Sequence, residues 1–146
     1  MQYTTQSPEE TQKLAKTLLP NILNKKIIHL AGNLGSGKTT FVKGIGKALG
    51  INKLIKSPTY TYTNTYQIKT PNSKLKTLHH FDLYRLPEHL ENPHQTAAEI
   101  GLDNAINNPE ALVIIEWPER IPHIKALLQI TFEQQKDHHV IRLNIC

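Results

Sequence analysis

The sequence has little cysteine, and it has no long apolar run. Its one cysteine is Cys146, the last of 146 residues, so an internal disulfide cannot form and a reducing compartment is expected. No stretch approaches the roughly 20 consecutive apolar residues of a membrane span. The first residues, Met1 to Thr5, also lack the basic and apolar regions of a secretory signal. These absences favour a cytoplasmic protein that has no contact with a membrane.

Arginine is scarce as well. Of the 17 lysine and arginine residues, only Arg85, Arg120 and Arg142 are arginine. The formal net charge is +5, which favours an acidic partner such as RNA only weakly. The lysines are scattered and do not alternate with aromatic residues, a pattern more typical of a solvated surface. Length and an apolar content of 38% predict a single domain over residues 1–146.

Helical and extended patterns alternate in the first half of the chain. Ser7, Pro8 and Glu10 form a capping box that opens a helix, and Pro20 is expected to end or kink it. Residues 27–31 form a short buried strand in this interpretation, and residues 39–49 a second helix. Residues 59–68 alternate with a period of two, which predicts a strand that residues 75–83 can pair with.

The second half continues the alternation. A capping box at Thr96 to Glu99 predicts a helix to about Ile106, and residues 111–115 predict a buried strand. Two further strands are expected near residues 127–132 and 139–145. The order predicts an α/β domain with an antiparallel portion.

The segment from Gly32 to Thr39 matches the phosphate-binding pattern G-x-x-x-x-G-K-[ST]. It lies between a predicted strand and a predicted helix, which is the context that this motif requires. Glycines let successive backbone N–H groups face phosphate oxygens, and the helix start adds partial positive charge. Lys38 is predicted to bridge the β- and γ-phosphates, while the Thr39 hydroxyl suits Mg²⁺.

A phosphate-binding loop of this kind also needs a carboxylate at a strand end. Glu116 follows five apolar residues, and Asp82 follows residues 78–81, so both are candidates for the metal site. ATP is favoured over GTP because the guanine motif Asn-Lys-x-Asp is absent. Trp117, the sole tryptophan, can stack near the nucleotide or pack in the core; the sequence leaves both open.

Four segments together resemble the TsaE (YjeE) family. They are Gly32 to Phe41, Ser57-Pro58-Thr59-Tyr60-Thr61, His80-Phe81-Asp82-Leu83-Tyr84-Arg85-Leu86 and Glu116-Trp117-Pro118-Glu119. They stand in the family's order and approximate spacing, and the two middle blocks are more specific than the phosphate-binding loop. The resemblance extends from about Ser7 to Glu119 and implies a P-loop NTPase-like three-layer fold with a mixed central sheet.

The resemblance also implies a function and a set of site residues. Proteins of this family are bacterial ATPase subunits for making N6-threonylcarbamoyladenosine at position 37 of tRNAs reading codons that start with A. The implied partner is a TsaB–TsaD heterodimer, which ATP hydrolysis is thought to reset between turnovers, with tRNA contacted indirectly or weakly. The implied nucleotide-binding residues are Thr11, Gly35, Ser36, Gly37, Lys38, Thr39, Thr40, Thr59 and Trp117. Thr39 and Glu116 would hold Mg²⁺, and Asp82 and Lys38 would act in hydrolysis.

Two other functions remain open from the sequence. A small phosphotransferase would usually have an arginine-rich lid, which the three widely spaced arginines do not supply. A nucleotide-dependent interaction module without catalysis would still bind ATP. Neither alternative changes the expectation of a nucleotide at Gly32 to Thr39.

Overall fold

The computed structural model describes residues 1–58, 60–71 and 73–146. It contains seven strands, β1 (Gln2–Thr5), β2 (Ile27–Gly32), β3 (Thr63–Gln67), β4 (Thr77–Asp82), β5 (Ala111–Glu116), β6 (Leu128–Gln134) and β7 (His139–Ile145). The four α-helices of the described residues are α1 (Pro8–Lys25), α2 (Lys38–Ala48), α3 (Pro93–Glu99) and α4 (Leu102–Asn107). A short 3-10 helix, Pro118–Arg120, follows β5.

All seven strands form one sheet in the order β1-β7-β6-β2-β5-β4-β3. The four central strands, β6, β2, β5 and β4, are parallel, whereas β3, β7 and β1 join at the edges in antiparallel pairing. The predicted α/β fold with a mixed central sheet is therefore confirmed. Parallel central strands bring the carboxyl ends of β2, β4 and β5 to the same edge of the sheet.

Helices cover both faces of the sheet. The side chains of Ile28 and Leu30 from β2 join the core under α1 and α2, where Phe41 is fully buried. On the opposite face, Val113 and Ile115 from β5 pack with residues of α3 and α4. Strand β5 is buried along its whole length, as its unbroken apolar run predicts for a central parallel strand. The three-layer arrangement is confirmed.

Helix α1 begins as predicted but ends later. The Ser7 hydroxyl accepts from the Glu10 N–H at 3.1 Å, as in a capping box, whereas the Glu10 carboxylate accepts from the N–H of Gln6, one residue before the cap, at 2.7 Å. Of the two outcomes expected at Pro20, an end or a kink, the end is wrong, because the helix continues to Lys25. Pro20 is exposed, so the carbonyl that loses its partner can be hydrated. Buried Leu18 and Ile22 hold both sides of the proline against the core.

Two other element boundaries differ from prediction for reasons of backbone conformation. Strand β3 begins only at Thr63, because Tyr62 has a φ of 62° and breaks the extended run. The helix predicted from Thr96 starts earlier, with Asn92 as its cap, and Gly101 with a φ of 82° divides it into α3 and α4. Strand β1 carries no pattern long enough to be predicted.

The longest helix of the described residues, α1, carries several charged side chains. Within the described ranges, no helix has both the length and the apolar character that crossing a bilayer requires.

Candidate functional site

The loop between β2 and α2 has a backbone that its glycines make possible. A Cβ at Gly32 would lie 2.5 Å from the Phe132 carbonyl oxygen of the neighbouring strand, so only glycine fits there. Gly37, with a φ of 104°, is the residue that caps α2 in the left-handed region. The loop thus turns tightly from the strand into the helix, and the first N–H groups of α2 are directed at its concave side.

A cavity of about 390 Å³ lies against this loop, within the usual size of ligand pockets, roughly 300–1,000 Å³. Three groups of residues form most of its wall, namely the loop and helix start, the carboxyl ends of β4 and β5, and the junction of β1 with α1; Ser57 and His139 complete it. The sequence-predicted residues that line it are Thr11, Gly35, Ser36, Gly37, Lys38, Thr39, Thr40, Asp82, Glu116 and Trp117. Thr59, also predicted, lies outside the described residues.

Lys38 is almost fully buried, with 5% of its surface exposed. Its Nζ donates to the carbonyl oxygens of Gly32 and Asn33, the latter at 2.9 Å. Burial lowers the pKa of this ammonium, while the carboxylates of Glu116, Asp82 and Glu119 act in the raising direction. The cation is therefore held within the loop by backbone oxygens and by nearby negative charge.

Asp82 and Glu116 end adjacent parallel strands and stand opposite each other in the register. The Asp82 carboxylate accepts from the Ser57 hydroxyl at 2.8 Å and from the Tyr84 N–H at 3.0 Å. Glu116 is 2% exposed, and its Oε2 lies 2.5 Å from the His80 Nε2. Both carboxylates line the cavity together with Lys38. The cavity therefore has negative charge for a metal ion and positive charge for phosphate groups.

Trp117 follows Glu116 in the left-handed conformation, with a φ of 59°. This turn places its ring beside the Lys38 Nζ, 4.9 Å from the ring centre, and the Arg120 guanidinium lies 5.5 Å from the same ring. The Tyr84 ring is tilted against it at 5.1 Å. Trp117 therefore both packs against neighbours and lines the cavity, so the two roles left open by the sequence are compatible.

The cavity wall also includes residues that were not predicted from the sequence as site residues. Gln6 and Pro8, at the junction of β1 with α1, line it beside Thr11, whose buried hydroxyl hydrogen-bonds the Thr5 hydroxyl at 2.8 Å. His139, at the start of β7, lines it as well, and its Nδ1 donates to the Ser36 carbonyl oxygen at 2.8 Å. No local motif marks these positions as a binding site, since the capping box at Ser7 indicates only a helix start, and β1 pairs with β7 far along the chain.

The donor set fits Mg²⁺ and a nucleoside triphosphate. Hard oxygen ligands, which Mg²⁺ prefers, are available from the Thr39 hydroxyl and the Glu116 carboxylate. The curled loop, with positive φ at Gly35 and Gly37, and the buried Lys38 cation suit phosphate oxygens. An unpartnered buried Ser36 hydroxyl lies in the same loop, within the part of the chain that is described.

Comparison with known proteins identifies relatives that match most of this chain and 70–82% of their own length. The family model described as "Threonylcarbamoyl adenosine biosynthesis protein TsaE" matches residues 5–142. This chain belongs to the TsaE family. The TsaE family acts in the biosynthesis of threonylcarbamoyladenosine in tRNA, so the resemblance drawn from the four sequence segments is confirmed.

Individual TsaE relatives agree with the family match. The tRNA threonylcarbamoyladenosine biosynthesis protein TsaE of Bacillus subtilis is 31% identical over 94% of this chain and 80% of its own length. That of Rickettsia conorii is 39% identical over 90% and 70%, and that of Aquifex aeolicus 35% over 86% and 82%. The crystal structure of YdiB from Bacillus subtilis superposes with a TM-score of 0.72 at 28% identity, covering 99% of this chain and 84% of YdiB. The P-loop NTPase-like fold is thereby confirmed.

Proposed function

We propose that this chain binds ATP with Mg²⁺ in the cavity at Gly32 to Thr39 and hydrolyses it slowly, as the ATPase component of threonylcarbamoyladenosine synthesis. The observation that carries the proposal is the convergence of Lys38, Asp82 and Glu116 on one cavity behind a phosphate-binding loop. A protein that only needed a rigid fold would gain nothing from a buried lysine and two strand-end carboxylates at the same place.

Different residues of the cavity would hold the phosphates, the Mg²⁺ ion and the nucleoside. The N–H groups from Gly35 to Thr40 would hold the β-phosphate, and Lys38 would exchange its carbonyl partners for β- and γ-phosphate oxygens. Thr39 and Glu116 would hold Mg²⁺, which neutralises phosphate charge when bound. Thr11 and Trp117, which both line the cavity, would lie nearer the nucleoside, and Thr59 is proposed to sense the γ-phosphate.

Hydrolysis requires a water molecule aligned with the terminal phosphate. Asp82 is the residue proposed to orient it, because its carboxylate borders the cavity and is fixed by Ser57 and by the Tyr84 N–H. The water oxygen would bond to the γ-phosphorus as the bond to the β-phosphate oxygen breaks, which leaves ADP and inorganic phosphate. Lys38 would stabilise charge on the phosphate oxygens during this exchange.

The biological use of this hydrolysis is proposed to lie in a complex. A TsaB–TsaD heterodimer would carry out the transfer of the threonylcarbamoyl group in the cytoplasm, and ATP turnover by this chain would reset that heterodimer. Leu34 is 64% exposed at the loop, and Tyr84 is 44% exposed beside Trp117, so apolar surface flanks the mouth of the cavity where a partner would sense the nucleotide. The scattered lysines support at most a weak or indirect contact with tRNA.

Release of phosphate from ATP tests the proposal. The purified chain with Mg²⁺ should release phosphate slowly, and faster when a TsaB–TsaD heterodimer is added. Asp82→Asn should bind ATP normally and release phosphate about 10²- to 10⁴-fold more slowly, the range for a positioned acid–base group. Asp103→Asn, a carboxylate of α4 away from the cavity, is the matched control. Transfer of labelled phosphate to a nucleoside, without free phosphate, would instead identify a kinase.

A further inference from the structure

A buried histidine outside the predicted site lies directly behind Glu116. His80, on β4, is fully buried, and its Nε2 lies 2.5 Å from the Glu116 Oε2. It is the side chain that hydrogen-bonds this carboxylate within the described residues, and it does not line the cavity itself. The contact joins two strands, because β4 and β5 run parallel and side by side.

The chemistry of this pair defines the direction of the hydrogen bond. An ionised carboxylate only accepts, so the His80 Nε2 carries the hydrogen and donates to Oε2. The other ring nitrogen, Nδ1, is buried and has no hydrogen-bond partner among the described residues. Among the described residues, the hydrogen bond to Glu116 is therefore the one that the His80 imidazole makes.

Because Glu116 is buried, the hydrogen bond from His80 affects the orientation of its carboxylate. A carboxylate that is 2% exposed cannot rely on water to satisfy its oxygens. With Oε2 engaged by His80, rotation of the carboxylate about its last bond is restrained, and one oxygen remains for the cavity. Partners of this kind behind a metal-binding carboxylate fix its orientation, and their loss typically weakens metal binding by about 10- to 100-fold.

We propose that His80 is a positioning residue that orients the Glu116 carboxylate for Mg²⁺, and thereby sets the Mg²⁺ requirement of nucleotide binding. The inference rests on the proposed function, since it concerns the metal that accompanies ATP. It also extends that function, because it assigns a role to a histidine that neither touches phosphate nor lines the cavity. The neighbouring His79 provides a contrast, since its ring faces Thr65 and Thr77 instead.

The experiment measures Mg²⁺ affinity separately from nucleotide affinity. Fluorescence of Trp117, the sole tryptophan, is followed while Mg²⁺ is added to protein that is saturated with ADP. ADP affinity is measured in parallel in the presence of EDTA. His80→Leu should raise the Mg²⁺ concentration for half-maximal change about 10- to 100-fold, with ADP affinity in EDTA unchanged. His80→Gln, whose amide N–H can donate to Glu116, should recover most of the loss.

Two controls separate positioning from a structural role. His79→Leu should leave the Mg²⁺ concentration unchanged, and so should His80→Leu when it is introduced into Glu116→Gln. A lower thermal midpoint for His80→Leu with a wild-type Mg²⁺ requirement would overturn the inference. If His80→Leu does not fold, a wild-type Mg²⁺ requirement in a folded His80→Ala variant would overturn it in the same way. Failure of the wild-type chain to bind ADP at all would instead contradict the proposed function.

Discussion

Asp82 and Glu116 are direct neighbours in the register of β4 and β5, each the last residue of its strand. A side chain at this position in a parallel sheet projects beyond the strand end, into the crevice where α/β proteins bind ligands. The pair lines the same cavity as the N-terminal residues of α2. Two like charges at this spacing are tolerated because Lys38 lies close to both and each carboxylate has its own hydrogen-bond donor.

Lys38→Met should weaken nucleotide binding without unfolding the chain. A hydrogen bond to a charged group contributes about 1.5–3 kcal/mol, so affinity for ATP with Mg²⁺ should fall roughly 10- to 150-fold. The free energy of unfolding should fall by about 1–3 kcal/mol, because the carbonyl oxygens of Gly32 and Asn33 lose their donor and the nearby carboxylates lose their cation. Isothermal titration calorimetry and urea unfolding measure the two quantities.

Lys43→Met is the matched control for this change, since Lys43 is on α2 but does not line the cavity. Its affinity for ATP should equal that of the wild-type chain. Equal affinity in Lys38→Met would show that the lysine serves only to brace the loop through the carbonyls of Gly32 and Asn33.

Gly44→Ala should destabilise the fold. A Cβ at this position would lie 2.7 Å from both the Cα and the carbonyl oxygen of Gln12, where α2 crosses α1. Because the obstacle is backbone, the helices must separate, at a cost of about 1–3 kcal/mol. That cost outweighs the gain in helix propensity of about 1 kcal/mol.

Chemical unfolding of Gly44→Ala and of Lys43→Ala, one residue away, measures the effect. Helix propensity should make Lys43→Ala nearly neutral. An unchanged or higher midpoint for Gly44→Ala would show that α1 and α2 are not held at this separation in solution.

His29 should make stability depend on pH in a specific window. Burial, followed by the nearby Lys125 charge, lowers the pKa of His29 from 6.5 to about 4. Between these values the unfolded chain binds a proton that the folded chain does not. The contribution to stability is therefore fully present above the unfolded pKa, and it is lost as the pH falls towards the folded pKa.

Comparison with His29→Phe isolates this effect from the titration of other groups. Between about pH 7.5 and about pH 5 the wild-type chain should lose roughly 1–2 kcal/mol more than the variant, allowing for partial solvent screening of the ring. Urea unfolding at both pH values gives the difference. Parallel pH dependence of the two proteins would contradict the lowered pKa.

The sequence predicted the parts of the site that local patterns encode. The loop from Gly32 to Thr39 was predictable because glycine positions, lysine and threonine follow one another in a fixed order. Glu116 was predictable because an unbroken apolar run ends on a carboxylate. Both signals depend only on neighbours in the chain. Glu116 and the loop residues from Leu34 to Thr39 line the cavity.

The rest depended on contacts between distant parts of the chain. His139 reaches the Ser36 carbonyl only because β7 pairs between β1 and β6, and one isolated histidine gives no signal of that. The role of His80 depends on the registry of β4 with β5. Pro20 left an end or a kink of α1 open in the sequence, because the effect of a proline on a helix depends on which face meets solvent, and packing decides that face.

The most direct test of the central claim is repeated formation of threonylcarbamoyladenosine in a reconstituted reaction. Wild-type chain, a TsaB–TsaD heterodimer, the threonylcarbamoyl adenylate donor, tRNA and ATP should yield many modified tRNAs per heterodimer. Asp82→Asn, which binds ATP but hydrolyses it slowly, should support about one turnover per heterodimer, since the reset depends on hydrolysis. As many turnovers with Asp82→Asn as with the wild-type chain would contradict the account.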